Sequence, residues 1–438
     1  MKNQKVLIWG LGKSGRGVLS YLLDTSNLIF LFDDNGVNKE WAQNYNVFVI
    51  EKMTKQIAKS MDIIVISPSV KINEILKYAI SKGVQVMPEL EFAYRNCKNT
   101  FYAITGTNGK TTTTSILGHI VSCAKRRVTV AGNIGVAVSS VISKKTKKDA
   151  FVCEVSSFQL ENIDRFKPHI AAITNITVDH LDYHKTFKNY ISAKYKIAKN
   201  MTIHDYLVLN KDCNISQKII SPAQRYYFGF EKLKGTYCID NTIYFSDKKT
   251  TKIIDIKDIK LLGRHNIENV MCAITMAMLM KIKPKIIKKA ISSFEALPHR
   301  LQQVACINGV TFINDSKATN IDSTITAINS MDKSTHLILG GSDKGYEFDE
   351  IFKSDLSNVV QVYAYGATAS KIVEAARRQH FTNIVSCKCL KDAVTLSFDN
   401  ARDNEVVLLS PATASFDEFE NYVDRGLSFE KYCKELEE

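Results

Sequence analysis

Two glycine-rich turns constrain the fold of this chain more than any other feature of its sequence. The first, GLGKSG at residues 10–15, follows the apolar run KVLIW, and the second, GTNGKT at residues 106–111, follows FYAIT. After each turn, apolar residues recur at helical spacing, so each segment predicts a strand, a tight turn and a helix. Short β-branched runs alternate with helical patterns again near the end of the chain, which favours α/β domains with parallel sheets.

The domain organisation follows from the length of the chain and from changes in this pattern. A chain of 438 residues is too long for one hydrophobic core. We place one boundary near residue 92, before the strand that carries the second turn, and another near residue 298. Between residues 205 and 260, short strands separated by turn residues such as Asp240 and Asn241 predict a hairpin-rich antiparallel sheet that extends the middle domain.

The composition is that of an ordinary globular protein with a basic surface. Its 58 Lys and Arg residues outnumber 45 Asp and Glu residues, which gives a net charge of +13. The cations are mostly Lys and are scattered, so a Lys-rich surface is favoured over a stripe that binds nucleic acid. A dense run of cations predicts a solvated loop and comprises Lys144, Lys145, Lys147 and Lys148.

The cysteines and the apolar runs bear on the cellular compartment. None of the 10 cysteines forms a CxxC pair or a cluster with histidines at zinc spacing, so we expect reduced and mostly buried thiols. The N-terminal run KVLIWG is too short for a signal peptide, and the apolar stretch from Val270 to Met280 is too short for a membrane span. We therefore expect a soluble, cytoplasmic protein without membrane insertion.

The first glycine turn matches the dinucleotide-binding fingerprint in spacing and context, with Asp33 and Asp34 about twenty residues further on. Glycines there let backbone amides approach a phosphate group at the N-terminus of a helix. The turn therefore favours a nucleotide or diphosphate ligand over a turn that serves packing alone.

The second glycine turn places amide donors, Lys110 and the hydroxyl of Thr111 where a helix begins, which suits nucleotide phosphates and Mg²⁺. It departs from the strict P-loop because Ile104 occupies the position of the first glycine. A packing turn would not require Gly, Gly, Lys and Thr in this order, so phosphate binding is favoured. The turn alone does not distinguish ATP from GTP.

Polar residues follow two predicted strands of the middle domain. Glu154 follows the run FVC, and Asn175, Asp179 and His180 follow IAAIT. A carboxylate at a strand end that faces a phosphate loop is a usual ligand for Mg²⁺. Taken alone, Glu154 is also consistent with a charge at a helix N-terminus. Beside the phosphate turn, metal binding is favoured.

Lys194 falls in the centre of an apolar stripe at helical spacing. The stripe consists of Phe187, Tyr190, Ile191, Ile197, Ala198 and Met201. Burying an ammonium group costs free energy unless the group is paired or its charge is changed. Lys194 therefore either extends to solvent at the end of the stripe or takes part in chemistry, and the pattern favours neither.

Three predicted strands of the last domain end in polar segments, which are NDSKAT (314–319), GGSDK (340–344) and SPATAS (410–415). Ligands of open parallel sheets bind beyond the carboxyl ends of the strands, so the three endings together predict a binding crevice. Each ending also has a structural explanation. Ser415 and Glu418 have the spacing of a capping box, and Asp315 or Thr319 could cap the next helix.

These motifs, in this order, resemble the Mur ligase family, which shares its ATP-binding core with folylpolyglutamate synthetases. The matching segments are TGTNGKTT (105–112), GNIG (132–135), EVSSFQL (154–160), NITVDHLDYH (175–184), GRHNIEN (263–269), LPHR (297–300) and NDSKATN (314–320). The segment SPATASFDEFENYVDRG (410–426) and the GGSDKG turn are similar to those of the members that add D-glutamate. The DNPR motif of the relatives that add diaminopimelate or lysine is absent.

The resemblance implies an α/β fold of three domains. These are a Rossmann-like N-terminal domain for the UDP moiety (1–92), a central P-loop-type ATPase domain with added antiparallel strands (93–298), and a Rossmann-like C-terminal domain that brings the amino acid (299–438). The implied activity joins D-glutamate to UDP-N-acetylmuramoyl-L-alanine through an acyl phosphate, in peptidoglycan precursor synthesis. ATP, two Mg²⁺ ions and a monomeric protein belong to the same expectation.

The resemblance also implies roles for individual residues. Those implied to bind ATP are Gly106, Thr107, Asn108, Gly109, Lys110, Thr111, Thr112, Asn266, Asn269, Arg300, Asp315 and Lys317. Those implied to bind the UDP substrate or D-glutamate are Gly12, Lys13, Ser14, Asp33, Asp34, Asn133, Ser156, His180, Thr319, Lys344, Ser415 and Tyr422. The implied metal site comprises Thr111, Glu154, His180 and a carbamylated Lys194, and the implied catalytic residues are Lys110, Glu154, His180 and Lys194.

Three other functions compete with this one. A folate-polyglutamylating ligase shares the ATP loop and the carbamate lysine but does not need the fingerprint at Gly10. An NAD-dependent oxidoreductase, with Asp33 on the ribose, leaves the second glycine turn and Lys194 unexplained. A basic nucleic-acid ATPase has only the net charge in its favour, so we expect no nucleic-acid partner.

Overall fold

The computed structural model describes residues 3–142 and 149–437. The predicted loop of Lys144, Lys145, Lys147 and Lys148 lies outside the described residues.

The strands of the described residues form three sheets, of five, nine and six strands, and the fold is α/β as predicted. The chain divides into two compact units: the first runs to residue 258 and includes residues 268–292, and the second comprises residues 259–267 and continues from residue 293. The first two predicted domains share the first unit, so the three-domain division stays a prediction.

The first sheet contains β1 (Lys5–Trp9), β2 (Leu28–Phe32), β3 (Phe48–Val49), β4 (Ile63–Ile66) and β5 (Gln85–Pro88). Its helices are α1 (Lys13–Leu22), α2 (Lys39–Ala42), α3 (Lys55–Lys59), α4 (Glu74–Ser81) and α5 (Glu89–Arg95). The strand order is β3-β2-β1-β4-β5, with every pair parallel. Val18, Leu19 and Leu22 of α1 share one buried cluster with Val6 and Ile8 of β1. The predicted strand, glycine turn and helix are confirmed.

The second sheet contains β6 (Thr100–Thr105), β7 (Val128–Gly132), β8 (Ala150–Glu154), β9 (Ile170–Ile173), β10 (Tyr206–Asn210), β11 (Gln224–Gly229), β12 (Gly235–Ile239), β13 (Thr242–Ser246) and β14 (Thr250–Asp255). The helices of this part of the chain are α6 (Lys110–Cys123), α7 (Ser157–Glu161), α8 (Leu181–His184), α9 (Phe187–Tyr195), α10 (Asn214–Gln217), α11 (Arg264–Leu279) and α12 (Pro284–Ser293). The strand order is β14-β13-β12-β11-β10-β9-β6-β8-β7. Ile116, Leu117, Ile120 and Val121 of α6 are buried, as their spacing predicts.

The structure corrects the predicted direction of the strands between residues 205 and 260. β10 pairs in parallel with β9 and with β11, and β11 pairs in parallel with β12, whereas β13 pairs antiparallel with both β12 and β14. The turn between β12 and β13 is the predicted one, with Asp240 at φ 49° and Asn241 at φ 56°, as a two-residue type I′ turn requires. A period of two residues identifies a strand but not the direction of its neighbour, which is why the prediction was wrong for β10 and β11.

The third sheet contains β15 (Gln302–Ile307), β16 (Val310–Asn314), β17 (Thr335–Gly340), β18 (Val359–Tyr365), β19 (Ile384–Ser386) and β20 (Val406–Leu409). Its helices are α13 (Ile321–Ile328), α14 (Asp349–Lys353), α15 (Ala369–Arg378), α16 (Leu390–Asn400) and α17 (Tyr422–Glu435). The strand order is β15-β16-β20-β17-β18-β19, and β15 alone is antiparallel to its neighbour. Leu337 and Leu339 pack into one buried cluster and Ile338 into another, so both faces of this sheet are covered.

Two further expectations concern the cysteines and membrane spans. All the cysteines are free, but only Cys153, Cys238, Cys272 and Cys433 are buried, so the prediction of mostly buried thiols was wrong for the majority. Within the described ranges, no helix combines the length and the apolar character needed to cross a membrane.

Candidate functional site

Three neighbouring strands of the second sheet carry the predicted phosphate and metal residues at one edge. β6 lies between β8 and β9, and the three strands are parallel. The second glycine turn follows β6, Glu154 ends β8, and Asn175 follows β9. The carboxyl ends of adjacent parallel strands meet at one edge of a sheet, so the structure brings these predicted residues together.

Gly106 and Gly109 occupy positions that exclude a side chain. Gly106 has φ 156°, and a Cβ there would lie 1.8 Å from Oγ1 of Thr174. Gly109 has φ 78°, and its Cβ would lie 2.2 Å from Oδ1 of Asn269. Both the backbone conformation and the close approach therefore require glycine, which explains the spacing of the two glycines in the turn.

Hydrogen bonds from the neighbouring strand end hold the second glycine turn in place. The backbone N–H of Thr107 donates to the carbonyl of Asn175 across 2.9 Å, and that of Asn108 donates to Oδ1 of Asn175 across 2.8 Å. Oγ1 of Thr174 donates to the carbonyl of Asn108 across 2.6 Å. The turn is thus held in place by hydrogen bonds to protein groups.

The helix that follows the turn supplies positive charge. Lys110 begins α6, and its Nζ donates to the carbonyl of Thr107 across 2.6 Å. Thr111 is half-buried and Thr112 is buried in the same helical turn. Helix N-termini attract anions because their first N–H groups lack intrahelical acceptors. Asn269 lies beside this helix, since its Oδ1 accepts a hydrogen bond from Oγ1 of Thr113 across 3.2 Å.

The two carboxylate oxygens of Glu154 have different surroundings. Oε1 accepts a hydrogen bond from Nδ2 of Asn133 across 2.7 Å. Oε2 is buried and has no hydrogen-bond partner within the described part of the chain. A buried carboxylate oxygen without a partner is costly, and it is the kind of atom that Mg²⁺ coordinates. Glu154 therefore fits a metal ligand, and Asn133 is placed to orient it.

Lys194 is buried at the centre of its apolar stripe, with 1% of its surface exposed. Its Nζ donates to the carbonyl of Gly106 across 2.6 Å and lies 4.5 Å from the ring centroid of Tyr190. The side chain does not extend to solvent, which removes one of the two interpretations of the stripe. A buried lysine that reaches the phosphate turn favours the chemical one.

The charge of Lys194 depends on three of its neighbours. Burial and then the nearby charge of Lys110 lower the pKa of Lys194 well below its usual range, whereas Asp179 and Glu154 act to raise it. Lys194 therefore lies within electrostatic reach of two of the other predicted catalytic residues, Lys110 and Glu154.

His180 lies on the loop after β9, where its backbone adopts a left-handed conformation with φ 51°. Its Nε2 lies 3.5 Å from Oδ2 of Asp179, and its ring centroid lies 6.1 Å from that of Tyr190. In residues 3–142 and 149–437, no group of three or more His, Cys, Asp or Glu side chains could by itself hold a metal ion. The role of His180 as a metal ligand therefore stays a prediction.

Two buried residues that the sequence did not single out anchor this edge of the sheet. The hydroxyl of Tyr190 lies 3.1 Å from Oγ1 of Thr107 in the phosphate turn. Nε2 of His184 lies 3.0 Å from Oγ of Ser157, at the start of α7. Sequence reasoning assigned Tyr190 to packing alone, although a phenolic hydroxyl in an apolar stripe needs a partner and was an available signal.

The capping alternatives have different outcomes. Ser156, a predicted substrate contact, caps α7 and forms a capping box with Gln159. Ser415 and Glu418 do not form one, because a turn rather than a helix follows Ser415 and the carboxylate of Glu418 accepts the N–H that begins α16. The residue that caps α13 is Asn320. Neither Asp315 nor Thr319, which were considered for this role, is the cap.

The predicted acidic residues of the first sheet bond to protein groups around the first glycine turn. Oδ2 of Asp33 accepts from the N–H of Leu11 across 2.7 Å, and Oδ1 accepts from the N–H of Asn35 across 3.0 Å. Oδ2 of Asp34 accepts from Nε1 of Trp9 across 3.0 Å. The other predicted residues of this turn are the exposed Gly12 and Lys13 and the half-buried Ser14, at the start of α1.

In the second unit, Asp315 links two of the matching motifs. Its Oδ1 accepts from the N–H of Leu301 across 3.2 Å, and its Oδ2 accepts from Oγ of Ser410 across 3.0 Å. Burial raises the pKa of Asp315 to about 7, against the lowering effects of these hydrogen bonds and of the charges of Arg300 and Arg425. A carboxyl group with this pKa is partly protonated near neutral pH.

The other residues predicted to bind the base and ribose of ATP belong to different units. Asn269 belongs to the first unit, and Asn266, Arg300 and Lys317 belong to the second. Asn266 is buried, and Nζ of Lys317 lies 3.6 Å from the ring centroid of Tyr422. Their joint role in binding one nucleotide stays a prediction.

The residues predicted to bind glutamate lie at the ends of three adjacent strands. β16, β20 and β17 are neighbours in the third sheet. Thr319 follows β16, Ser415 follows β20 and Lys344 follows β17, while Tyr422 begins α17. Ser415 is buried, and Lys344 is exposed with its Nζ 5.9 Å from the ring centroid of Tyr346. The structure thus brings the three predicted polar endings to one sheet edge.

Two family models match the chain. The Mur ligase middle domain matches residues 104–277, and the Mur ligase, glutamate ligase domain matches residues 299–413. The matched residues include the phosphate turn, Glu154 and Lys194 in the first case, and Asp315 and Lys344 in the second.

Curated relatives match the chain over its whole length. One from Thermoanaerobacter sp. (strain X514), named UDP-N-acetylmuramoylalanine–D-glutamate ligase, is 40% identical over 450 residues that cover 100% of this chain and 99% of the relative. A relative of the same name from Clostridioides difficile (strain 630) is 38% identical over 449 residues that cover 100% of this chain and 99% of the relative.

A solved structure of similar fold is that of UDP-N-acetylmuramate-alanine ligase MurC from Thermotoga maritima. Its TM-score is 0.62, with 16% sequence identity and coverage of 99% of this chain and 100% of that chain. At this identity the similarity concerns the fold alone.

Proposed function

The chain belongs to the Mur ligase family, and from this premise we propose that it is an ATP-dependent ligase that joins D-glutamate to UDP-N-acetylmuramoyl-L-alanine in peptidoglycan precursor synthesis. The observation that carries the proposal is the 40% identity, over the whole chain, to a ligase with that name. The phosphate turn, Glu154 and Lys194 at one sheet edge supply groups that suit ATP chemistry.

The proposed reaction has two steps. A carboxylate is a poor acyl donor at neutral pH, so one of its oxygens attacks the γ-phosphorus of ATP, the bond to the β,γ-bridging oxygen breaks, and ADP leaves. The uncharged amine of D-glutamate then attacks the carbonyl carbon of the acyl phosphate. The tetrahedral intermediate expels inorganic phosphate, the nitrogen loses a proton, and an amide remains. Two anions meet in the first step, so the site must supply positive charge.

The second glycine turn supplies most of this charge from the protein itself. Residues 106–112 line the phosphate site, the start of α6 directs its first backbone N–H groups at the phosphates, and Lys110 neutralises the β- and γ-phosphates. The N-terminus of α6 adds the positive end of a helix dipole. Bound Mg²⁺, held by Thr111, Glu154 and His180, would neutralise the remaining phosphate charge.

Lys194 is proposed to act as a carbamate. Its burial makes an ammonium costly at this position, and addition of CO₂ to Nζ replaces a positive group with a negative one. A negative group beside Glu154 suits a second Mg²⁺. The contact with Gly106 supports a place for this side chain next to the phosphates.

The remaining assignments follow the family pattern. The proposed contacts to the base and ribose of ATP are Asn266, Asn269, Arg300, Asp315 and Lys317. The proposed contacts to the UDP substrate are Gly12, Lys13, Ser14, Asp33, Asp34, Asn133, Ser156 and His180, and those to D-glutamate are Thr319, Lys344, Ser415 and Tyr422. The division into three domains at residues 92 and 298, a monomeric state, a cytoplasmic location and a contribution to cell shape and division belong to the same proposal.

A phosphate-release assay tests the function. The purified chain is incubated with UDP-N-acetylmuramoyl-L-alanine, ATP and Mg²⁺, with D-glutamate or L-glutamate added separately. We expect phosphate release and amide product with D-glutamate, and little of either with L-glutamate or without an amino acid. Equal turnover with both enantiomers, or none with D-glutamate, would contradict the proposal.

The same preparation separates the competing functions. A folate-polyglutamylating ligase would release phosphate with a folate and L-glutamate, and an oxidoreductase would consume NADH without ATP. Neither activity is expected, because a folate ligase does not need the fingerprint at Gly10, and an NAD-dependent enzyme leaves the second glycine turn and Lys194 unexplained.

A further inference from the structure

Arg425, in the first turn of α17, is buried with 0% of its surface exposed. All five N–H groups of its guanidinium have acceptors. Nε donates to Oγ of Ser316 (2.9 Å), Nη2 donates to the carbonyls of Ser316 (2.9 Å) and Thr413 (3.0 Å), and Nη1 donates to the carbonyls of Ala414 (3.1 Å) and Gly340 (3.4 Å). Each of these oxygens is uncharged, so hydrogen bonding satisfies the group without neutralising it.

The acceptors of Arg425 come from three chain segments that follow three neighbouring strands. Ser316 follows β16, Thr413 and Ala414 follow β20, and Gly340 ends β17. These strands are adjacent in the third sheet, in the order β16-β20-β17. The same three segments carry Thr319, Lys344 and Ser415, three of the four residues proposed to bind D-glutamate, so one side chain connects the three strand ends.

The two consecutive glycines of the GGSDKG turn lie too close to neighbouring backbone for either to carry a side chain. Gly340 has φ 134°, and Gly341 has φ 139°. A Cβ on Gly341 would lie 2.1 Å from the carbonyl oxygen of Ala414 and 3.0 Å from Nη1 of Arg425. The segment that leads to Lys344 can therefore approach the segment after β20 this closely only without a side chain at position 341.

The burial of a full positive charge needs a reason beyond packing. A buried cation loses its hydration, and none of the five acceptors of Arg425 carries an opposite charge. The charge of Arg425 does reach its surroundings, since it lowers the pKa of both Asp315 and Tyr365 against the effect of burial. A positive group that is bonded to all three strand ends suits an anionic ligand bound at the same strand ends.

We propose that Arg425 is a positioning residue for the amino-acid substrate, which fixes the three strand-end segments at the spacing needed to bind the carboxylates of D-glutamate. This inference rests on the proposed function. Because every N–H group is already bonded to the protein, the guanidinium acts through these segments and does not touch the substrate. The planar fork reaches five acceptors at once, which an ammonium cannot do.

The test compares the wild-type protein with Arg425→Lys, which keeps the positive charge but lacks the planar guanidinium group and its five donors. We expect the KM for D-glutamate to rise at least about tenfold in Arg425→Lys while the KM for ATP stays within about twofold. In Arg425→Ala, millimolar guanidinium chloride should restore part of the affinity for D-glutamate, and sodium chloride at the same concentration should not. A residue needed for folding alone would not show this rescue or this split between substrates.

Two further variants keep the test decisive. Lys431→Met, on an exposed part of the same helix, is the matched control and should leave both KM values unchanged. Ser316→Ala removes one acceptor of Arg425. If Arg425→Lys does not fold, Ser316→Ala is measured in its place. The KM for D-glutamate should again rise more than the KM for ATP. Equal changes in both KM values, or no change, would overturn the positioning role. A wild-type protein without D-glutamate-dependent phosphate release would instead overturn the proposed function on which the role depends.

Discussion

Nζ of Lys194 donates a hydrogen bond to the backbone carbonyl of Gly106 across 2.6 Å. The bond joins α9 to the first residue of the phosphate turn, at a glycine whose neighbour Thr174 leaves no space for a side chain. A buried lysine at the centre of an apolar stripe is therefore connected directly to the backbone that is proposed to hold ATP. Any chemical change at Nζ would act at the phosphate turn.

Replacing Lys194 tests this connection. In Lys194→Ala we expect turnover to fall by at least about 100-fold, because the group that would act beside the phosphates is lost. A small carboxylic acid should restore part of the activity, since it can occupy the cavity and return a carboxylate. The measurement is phosphate release with and without the acid, and Lys188→Ala, on the exposed side of the same helix, is the control. A fully active Lys194→Ala protein would exclude a catalytic role, and a failure of rescue would count against the carbamate.

Asn133 offers a test of the metal site that leaves every proposed metal ligand in place. Its Nδ2 holds Oε1 of Glu154 across 2.7 Å, and groups that orient a metal ligand typically contribute about 10- to 100-fold to metal affinity or activity. In Asn133→Ala we expect the Mg²⁺ concentration for half-maximal phosphate release to rise in that range. Asn96→Ala, which removes an amide bonded to the carbonyl of Phe92, should leave it unchanged. An unaltered Mg²⁺ requirement in Asn133→Ala would contradict this role for the pair.

Lys344 is predicted to bind a carboxylate of D-glutamate, because an ammonium group at the end of β17 is the natural partner for one. In Lys344→Ala the KM for D-glutamate should rise about tenfold or more, with a smaller change for ATP. Lys353→Ala, an exposed lysine on α14, serves as the control in the same kinetic measurements. If the KM for D-glutamate does not change, Lys344 lies outside the amino-acid site.

Local pattern was sufficient to predict much of the fold and part of the candidate site. The strand Lys5–Trp9 coincides with the predicted run KVLIW, because an apolar run that ends in a turn is specified by adjacent positions alone. The position of Lys194 in an apolar stripe predicted an unusual lysine for the same reason, and its burial confirms the pattern.

Features that depend on distant parts of the chain could not be predicted in this way. The parallel direction of β10 and β11 depends on which strands become neighbours, which their own residues do not encode. Arg425 bonds to Ser316, a residue 109 positions away, and arginine is rarely fully buried. The segment 410–426 matched the family pattern, but nothing in the sequence indicated that Arg425 within it is buried.

Asp315 provides a pH-dependent test in the second unit. Burial raises its pKa to about 7 in the folded protein, even though Arg300 and Arg425 act to lower it, whereas an unfolded aspartate titrates near 3.9. Between these values the folded state holds a proton that the unfolded state has lost, so the stability contributed by Asp315 is complete below about pH 4, falls as the pH rises from there to about 7, and is lost above that pH. Asp315→Asn has no such titration, so its free energy of unfolding relative to wild type should increase by roughly 2.5 kcal/mol between pH 5 and pH 8. Calorimetric unfolding of the ligand-free protein at both pH values measures the change, with Asp332→Asn, at an exposed position of the same unit, as the control. A difference between Asp315→Asn and wild type that is the same at pH 5 and pH 8 would show that this carboxyl group is ionised throughout.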